Sequence, residues 1–115
     1  ETLEAKFIKP AGSTYFVKDG EITNTYNYTF INKSNDNKTV TIKVIEPANG
    51  KVALSAANKI ILRKDKLEKG TVNISFPEKD IKLAKQKIVI GVYDQGGNLL
   101  DTFETTFEGP FRMGF

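Results

Sequence analysis

The sequence predicts an all-β domain, a sandwich of two antiparallel sheets with about seven strands. Val, Ile, Thr, Phe and Tyr make up 41 of the 115 residues, whereas Leu and Ala number only seven each. β-Branched and aromatic side chains suit a pleated, half-buried surface. Apolar and polar residues also alternate over several short segments, which polar turns separate at regular intervals. A chain of this length forms one domain with a single core, residues 1–115.

Three segments alternate strictly between apolar and polar residues, which is the pattern of a strand with one face on a core. The apolar sets are Tyr26, Tyr28 and Phe30; Val40, Ile42 and Val44; and Val72, Ile74 and Phe76.

A fourth segment, Lys87–Tyr93, has apolar residues on both faces, which predicts a central strand covered in part on each side. Leu99–Phe107 should return antiparallel to it through the tight turn at Asp94–Asn98. Phe103 and Phe107 in this strand should face the core, while Asp101 on the same face predicts a bulge or an exposed start.

The remaining elements have weaker signals. Lys59–Arg63 is predicted as a short strand, and either Leu3–Ile8 or Thr14–Val17 as the first strand. Ile81–Lys85 is predicted as a single helical turn between the sheets, and Lys64–Lys69 as a solvated loop, because its charges alternate in sign. The predicted core comprises Tyr28, Phe30, Ile42, Val44, Ile74, Phe76, Ile90, Val92 and Phe103.

Missing residue types limit the chemistry of the domain. The chain has no His and no Cys, which excludes catalysis by these side chains, Cys/His zinc sites and ligation of iron–sulfur clusters by thiolates. Asp94 and Asn98 offer oxygen ligands, but Leu99 follows where a calcium loop needs more carboxylates, so a hairpin turn is favoured. Met113 is a single soft ligand. We therefore expect no catalytic residue, metal or cofactor in this domain.

The charge balance gives little indication of a nucleic-acid partner. The net charge is +3, and only Arg63 and Arg112 could make bidentate contacts to bases. The lysines are interpreted as solubilising. Tyrosines on an outer face would instead indicate a secreted carbohydrate-binding or adhesion module, although Tyr26 and Tyr28 share the inward face with Phe30.

The C-terminal tail, residues 109–115, is the predicted docking element together with the strand before it. Phe111, Arg112, Met113 and Phe115 follow the last strand without the alternation that would bury them. An apolar tail at the edge of a sandwich folds back on its own domain, meets a partner or remains disordered.

Three segments carry a resemblance to a known family: Lys18–Lys33, Lys87–Gln95 and Thr105–Pro110. They resemble the first core strands, the penultimate strand and the end of the C-terminal immunoglobulin-like domain of the FixG/CcoG family of cytochrome c oxidase accessory proteins. The resemblance spans nearly the whole chain and implies an immunoglobulin-like fold. The residues that carry it are turn and packing residues without chemistry of their own.

The resemblance implies a role in a larger protein, and the first residue, Glu1 instead of Met, also leads us to expect a cleaved product or an excised piece. Full-length members of the family have membrane spans and a cysteine-rich segment that binds two [4Fe–4S] clusters. They take part in assembly of cbb3-type oxidase through copper reduction or delivery. By this resemblance the domain follows the last span, lies on the periplasmic side of the membrane and contacts protein partners in oxidase biogenesis. No cluster ligand transfers to this chain.

Overall fold

The computed structural model describes residues 3–54 and 59–111. Nine strands and one short 3₁₀ turn, Glu78–Asp80, make up the described elements. The strands are β1 Leu3–Ile8, β2 Phe16–Lys18, β3 Glu21–Asn32, β4 Lys38–Glu46, β5 Lys51–Leu54, β6 Ile60–Leu62, β7 Leu67–Pro77, β8 Lys85–Tyr93 and β9 Leu99–Glu108.

The strands form two antiparallel sheets that pack face to face. The first sheet has the order β1-β3-β7-β5, and β2 pairs with the beginning of β3; the second has the order β6-β4-β8-β9. The longest pairing joins β3 to β7, from Glu21 opposite Pro77 to Ile31 opposite Leu67. The all-β sandwich expected from the alternation is confirmed.

The core lies between the sheets. Of the nine predicted core residues, eight are buried, and Phe103 on β9 is partly buried against them. Its ring lies 5.8 Å from that of Phe7, centroid to centroid. Gly70 is required opposite Tyr28, since a Cβ at this position would lie 2.1 Å from the Tyr28 hydroxyl oxygen.

Two predictions about local elements are wrong. The helical turn lies at Glu78–Asp80, not at Ile81–Lys85, because Ile81 is buried in an extended conformation and Lys85 already begins β8. Residues 67–69 of the predicted loop belong to β7, where they are exposed but pair with β3. Main-chain pairing extends this strand beyond its buried part.

Other details refine the prediction. The predicted strand Leu3–Ile8 is β1, whereas only residues 16–17 of the predicted strand Thr14–Val17 belong to β2. β5 adds a short strand that was not predicted. The bulge expected near Asp101 is confirmed, because Val92 lies opposite Asp101 while Tyr93 lies opposite Leu99.

Candidate functional site

The Asp94 carboxylate closes the turn between β8 and β9. It accepts hydrogen bonds from the main-chain N–H groups of Gly96 and Asn98, both at 2.9 Å, and from Asn98 Nδ2 at 3.1 Å. These bonds to the charged form lower the pKa of Asp94. Residues 3–54 and 59–111 contain no group of three or more His, Cys, Asp or Glu side chains placed to hold a metal ion. The arrangement matches the hairpin predicted from the sequence.

A polar network that the sequence analysis missed joins the two sheets near the end of β9. The Asn24 side chain is fully buried, donates to Glu108 O at 2.8 Å and accepts from Glu108 N at 2.8 Å. Lys9 Nζ donates to Asn24 Oδ1 and to Thr14 O, and lies 3.0 Å from the Glu108 carboxylate. The sequence pointed to this network only through Asn24, a polar residue between Ile22 and Tyr26 on an otherwise apolar strand face.

Tyr26 adds a second bond between the sheets. Its hydroxyl donates to Thr106 O at 2.8 Å, and the Lys9 ammonium lies 5.7 Å from the centre of its ring. Burial raises the pKa of Tyr26 above its usual value, and the negative charge of Glu108 acts in the same direction. The hydroxyl therefore remains a neutral donor throughout the physiological pH range.

Side chains occupy several main-chain groups on the outer edge of β9. Side chains of the first sheet already bond Thr106 O and both main-chain groups of Glu108. One carboxylate oxygen of Asp101 accepts a hydrogen bond from the N–H of Thr102 at 2.9 Å. The other oxygen accepts a hydrogen bond from the N–H of Ala5, on β1, at 3.1 Å. A strand edge whose groups are already bonded is a poor template for another chain.

One end of the sandwich, here called the apolar pole, exposes five large apolar side chains: Tyr15, Phe16, Val17, Leu83 and Phe111. A groove of about 340 Å³ lies at this pole. Its lining consists of Thr14, Tyr15, Ala84, Lys85, Glu108, Gly109 and Phe111. Five exposed apolar side chains at one end, beside a groove, are typical of an interaction surface.

The predicted docking residues are described only in part. Phe111 is 77% exposed and lines the groove, whereas Arg112, Met113 and Phe115 lie outside the described residues. Sequence reasoning missed the contribution of β2 to the pole. The available signal was the uninterrupted run Tyr15–Val17 directly before the Asp19-Gly20 turn.

The tyrosines do not form a row on one sheet. Tyr26 and Tyr28 are buried, as the alternation predicted. Tyr15 precedes β2, while Tyr93 ends β8 with Lys43 Nζ 5.4 Å from the centre of its ring. This arrangement gives no support to a sugar-binding platform.

Residues 1–110 match the family described as "IG-like fold at C-terminal of FixG, putative oxidoreductase". The chain belongs to this family. The resemblance of the Lys18–Lys33, Lys87–Gln95 and Thr105–Pro110 segments to FixG C-terminal domains is thereby confirmed. No curated protein matches the chain.

Solved structures similar to this FixG-type domain share its fold. A crystal structure of a FixG-related protein from Vibrio parahaemolyticus has a TM-score of 0.72 and 17% sequence identity, and the match covers 94% of this chain and 96% of the other. The N-terminal domain of PorA has a TM-score of 0.51 and 14% identity, with 91% and 96% covered. Among the residues described here, no helix has the length and apolar character of a membrane span.

Proposed function

We propose that this FixG-type domain is a non-catalytic docking module on the periplasmic side of a membrane iron–sulfur protein that serves the assembly of cbb3-type oxidase. The family match over residues 1–110 supports the assignment to a larger oxidoreductase. The chain has no His and no Cys, so the two [4Fe–4S] clusters and the chemistry of copper reduction or delivery belong to the upstream part of the full-length protein.

The observation that carries the docking role is the exposed Phe111 at the end of a strand that is otherwise held firmly. Gly109 N donates to Ala84 O at 3.0 Å, and Glu108 is bonded by Asn24, so hydrogen bonds hold the chain to the sandwich up to Gly109, two residues before Phe111. Phe111 then lies at the apolar pole with most of its ring exposed. An aromatic side chain on a rigid support is a favourable anchor for a protein partner.

The direction of the strands places this pole away from the start of the domain. Leu3 of β1 lies opposite Asn32, whereas Glu108 of β9 bonds to Asn24, eight residues earlier along β3. At roughly 3.3 Å per residue along β3, Leu3 and Glu108 are therefore about 26 Å apart in the direction of the strand. Membrane spans upstream of this domain would therefore hold the apolar pole, with Phe111, toward partners in the periplasm.

Deletion of residues 111–115 in the full-length protein tests the docking role. We expect iron–sulfur content and membrane insertion to be retained while the amount of assembled oxidase falls, because only the contact with the partner is lost. Leu99→Ser serves as the control, since Leu99 is exposed at the beginning of β9, away from the pole. Unchanged oxidase assembly in the deletion variant would remove the tail from the docking role.

A copper titration tests the absence of chemistry in the domain. The chain offers carboxylates and the single thioether of Met113, which are poor ligands for Cu(I). We expect no stoichiometric Cu(I) binding to the 115-residue domain under reducing conditions, measured against a competing chelator. Tight binding that Met113→Leu abolishes would show that the domain itself takes part in copper handling.

A further inference from the structure

We propose that the apolar pole binds an extended segment of a partner protein in which apolar side chains stand next to aspartate or glutamate. This inference rests on the docking role proposed above and specifies the chemistry of the partner. Three features of the pole support it: an exposed strand edge, a groove beside it and a surplus of lysine charge.

The exposed strand edge belongs to β2. Phe16, Val17 and Lys18 are all exposed, and β2 pairs with β3 along one edge only. Within the described part of the chain, no strand pairs with its other edge. An edge strand that carries apolar side chains is a template for strand addition, in which main-chain bonds hold the added segment and side-chain pockets select it.

The groove beside β2 supplies the apolar contact. It lies between Tyr15, which immediately precedes β2, and Phe111, while the exposed Leu83 immediately precedes Ala84 in its lining. At this pole the edge of β9 is less available than that of β2, because Asn24 and Tyr26 already bond Thr106 O and both main-chain groups of Glu108. A segment added at this pole is therefore expected on β2.

The charges around the groove favour acidic residues in the partner. Lys18, Lys82 and Lys85 are exposed, and no ion pair of the described chain includes any of them. The Glu108 carboxylate in the groove is already paired with Lys9 at 3.0 Å. Glu21, opposite Lys18, is paired with Lys51, and Asp80 accepts a hydrogen bond from Asn49. The three lysines outnumber the other nearby acidic residues, Asp19 and Glu78.

The same charges disfavour a second copy of this chain. A twofold contact through the pole would bring the three lysines of one copy close to the identical lysines of the other. An anionic lipid surface would satisfy the lysines but would leave the main-chain groups of β2 without strand partners. An extended acidic and apolar polypeptide satisfies both.

The experiment uses the 115-residue domain and a synthetic probe. The probe is a fluorescein-labelled ten-residue peptide in which Asp or Glu alternates with Leu or Phe; its control carries Lys in place of every acid. Fluorescence anisotropy should show at least tenfold tighter binding of the acidic peptide. Amide resonances of the ¹⁵N-labelled domain should shift at residues 15–18 and 84–85.

Matched variants locate the binding surface. Phe16→Ser and Leu83→Ser should weaken binding of the acidic peptide at least fivefold. Leu99→Ser and Ile61→Ser should leave it unchanged, although Leu99 is as exposed as Phe16 (50%) and Ile61 as exposed as Leu83 (59%). Far-UV circular dichroism checks that each variant is folded.

Each contrary outcome overturns the inference. The inference fails if the domain binds both peptides with equal affinity, or if the paired variants weaken binding equally. It also fails if the domain binds only vesicles of anionic phospholipid, or if sedimentation shows a dimer that Phe16→Ser dissociates. The two proposals can fail separately. Selective peptide binding without an effect of the tail deletion on oxidase assembly would refute only the role in assembly, whereas loss of assembly without peptide selectivity would refute only the partner chemistry.

Discussion

Asn24→Ala should destabilise the domain, because it removes a buried side chain that bonds one sheet to the other. The Asn24 side chain is fully buried and bonds both main-chain groups of Glu108 at 2.8 Å. Each buried group left without a partner costs roughly 1–3 kcal/mol. Glu108 is partly exposed, so water replaces some of the loss. We therefore expect the free energy of unfolding to fall by about 2–4 kcal/mol, a large share of the 5–15 kcal/mol typical of a domain.

Urea unfolding followed by far-UV circular dichroism measures this change. Asn27→Ala is the matched control, because Asn27 lies on the same strand, is exposed and accepts only a long 3.4 Å bond from Thr71. It should cost at most about 0.5 kcal/mol, as expected for a surface substitution. The dependence of the unfolding free energy on urea should be equal in both variants. If Asn24→Ala costs no more than Asn27→Ala, the network does not hold the sheets together, and the argument for a fixed β9 fails.

Three further predictions concern packing and ionisation. Ile90→Ala should lower the free energy of unfolding by roughly 2–5 kcal/mol in urea titrations, because Ile90 is fully buried, whereas Ile61→Ala should lie within about 0.5 kcal/mol of the wild type. The free energy of unfolding should fall above pH ~10, because tyrosine ionises there in the unfolded chain while Tyr26, with its raised pKa, stays neutral in the folded domain. Urea titrations at a series of pH values measure this fall, and Tyr26→Phe should make it shallower. An unchanged dependence of the unfolding free energy on pH in this variant would contradict the prediction. NMR titration of side-chain carboxyl carbons should show the pKa of Asp94 lowered from its usual value by the main-chain and side-chain bonds of Asn98. Asn98→Ala removes only the side-chain bond and should raise this pKa; a midpoint that does not move would show that the side-chain bond does not contribute.

Alternation predicted the parts of the fold that depend on burial. The apolar sets on β3, β4 and β7 lie inward because each faces the opposite sheet. The pattern could not predict the true start of β7, since residues 67–69 pair with β3 through main-chain groups that are independent of side-chain polarity. The helical turn was misplaced because Ile81, read as part of a turn, is an extended core residue.

The candidate site was predicted only in part for a different reason. Exposed Phe111 follows from a break in alternation at the end of the last strand. Its neighbours Tyr15 and Leu83 come from distant parts of the chain, and only the tertiary structure brings the segments of Tyr15 and Phe111 together at one groove. The role of Asn24 was missed for the same reason, because its partners Lys9 and Glu108 are close to it in space but distant in sequence.

The opposite placement of Leu3 and Phe111 also determines how the domain responds to mechanical force. A pull between these residues acts along β1 and β9 and loads their pairings with β3 and β8 in shear. In shear the hydrogen bonds of a pairing resist together, whereas peeling a strand from its end breaks them one after another. The domain should therefore behave as a stiff tether, and in an optical trap it should unfold at higher force when pulled from residues 3 and 111 than when pulled from residues 85 and 108, which lie opposite each other at the end of one pairing.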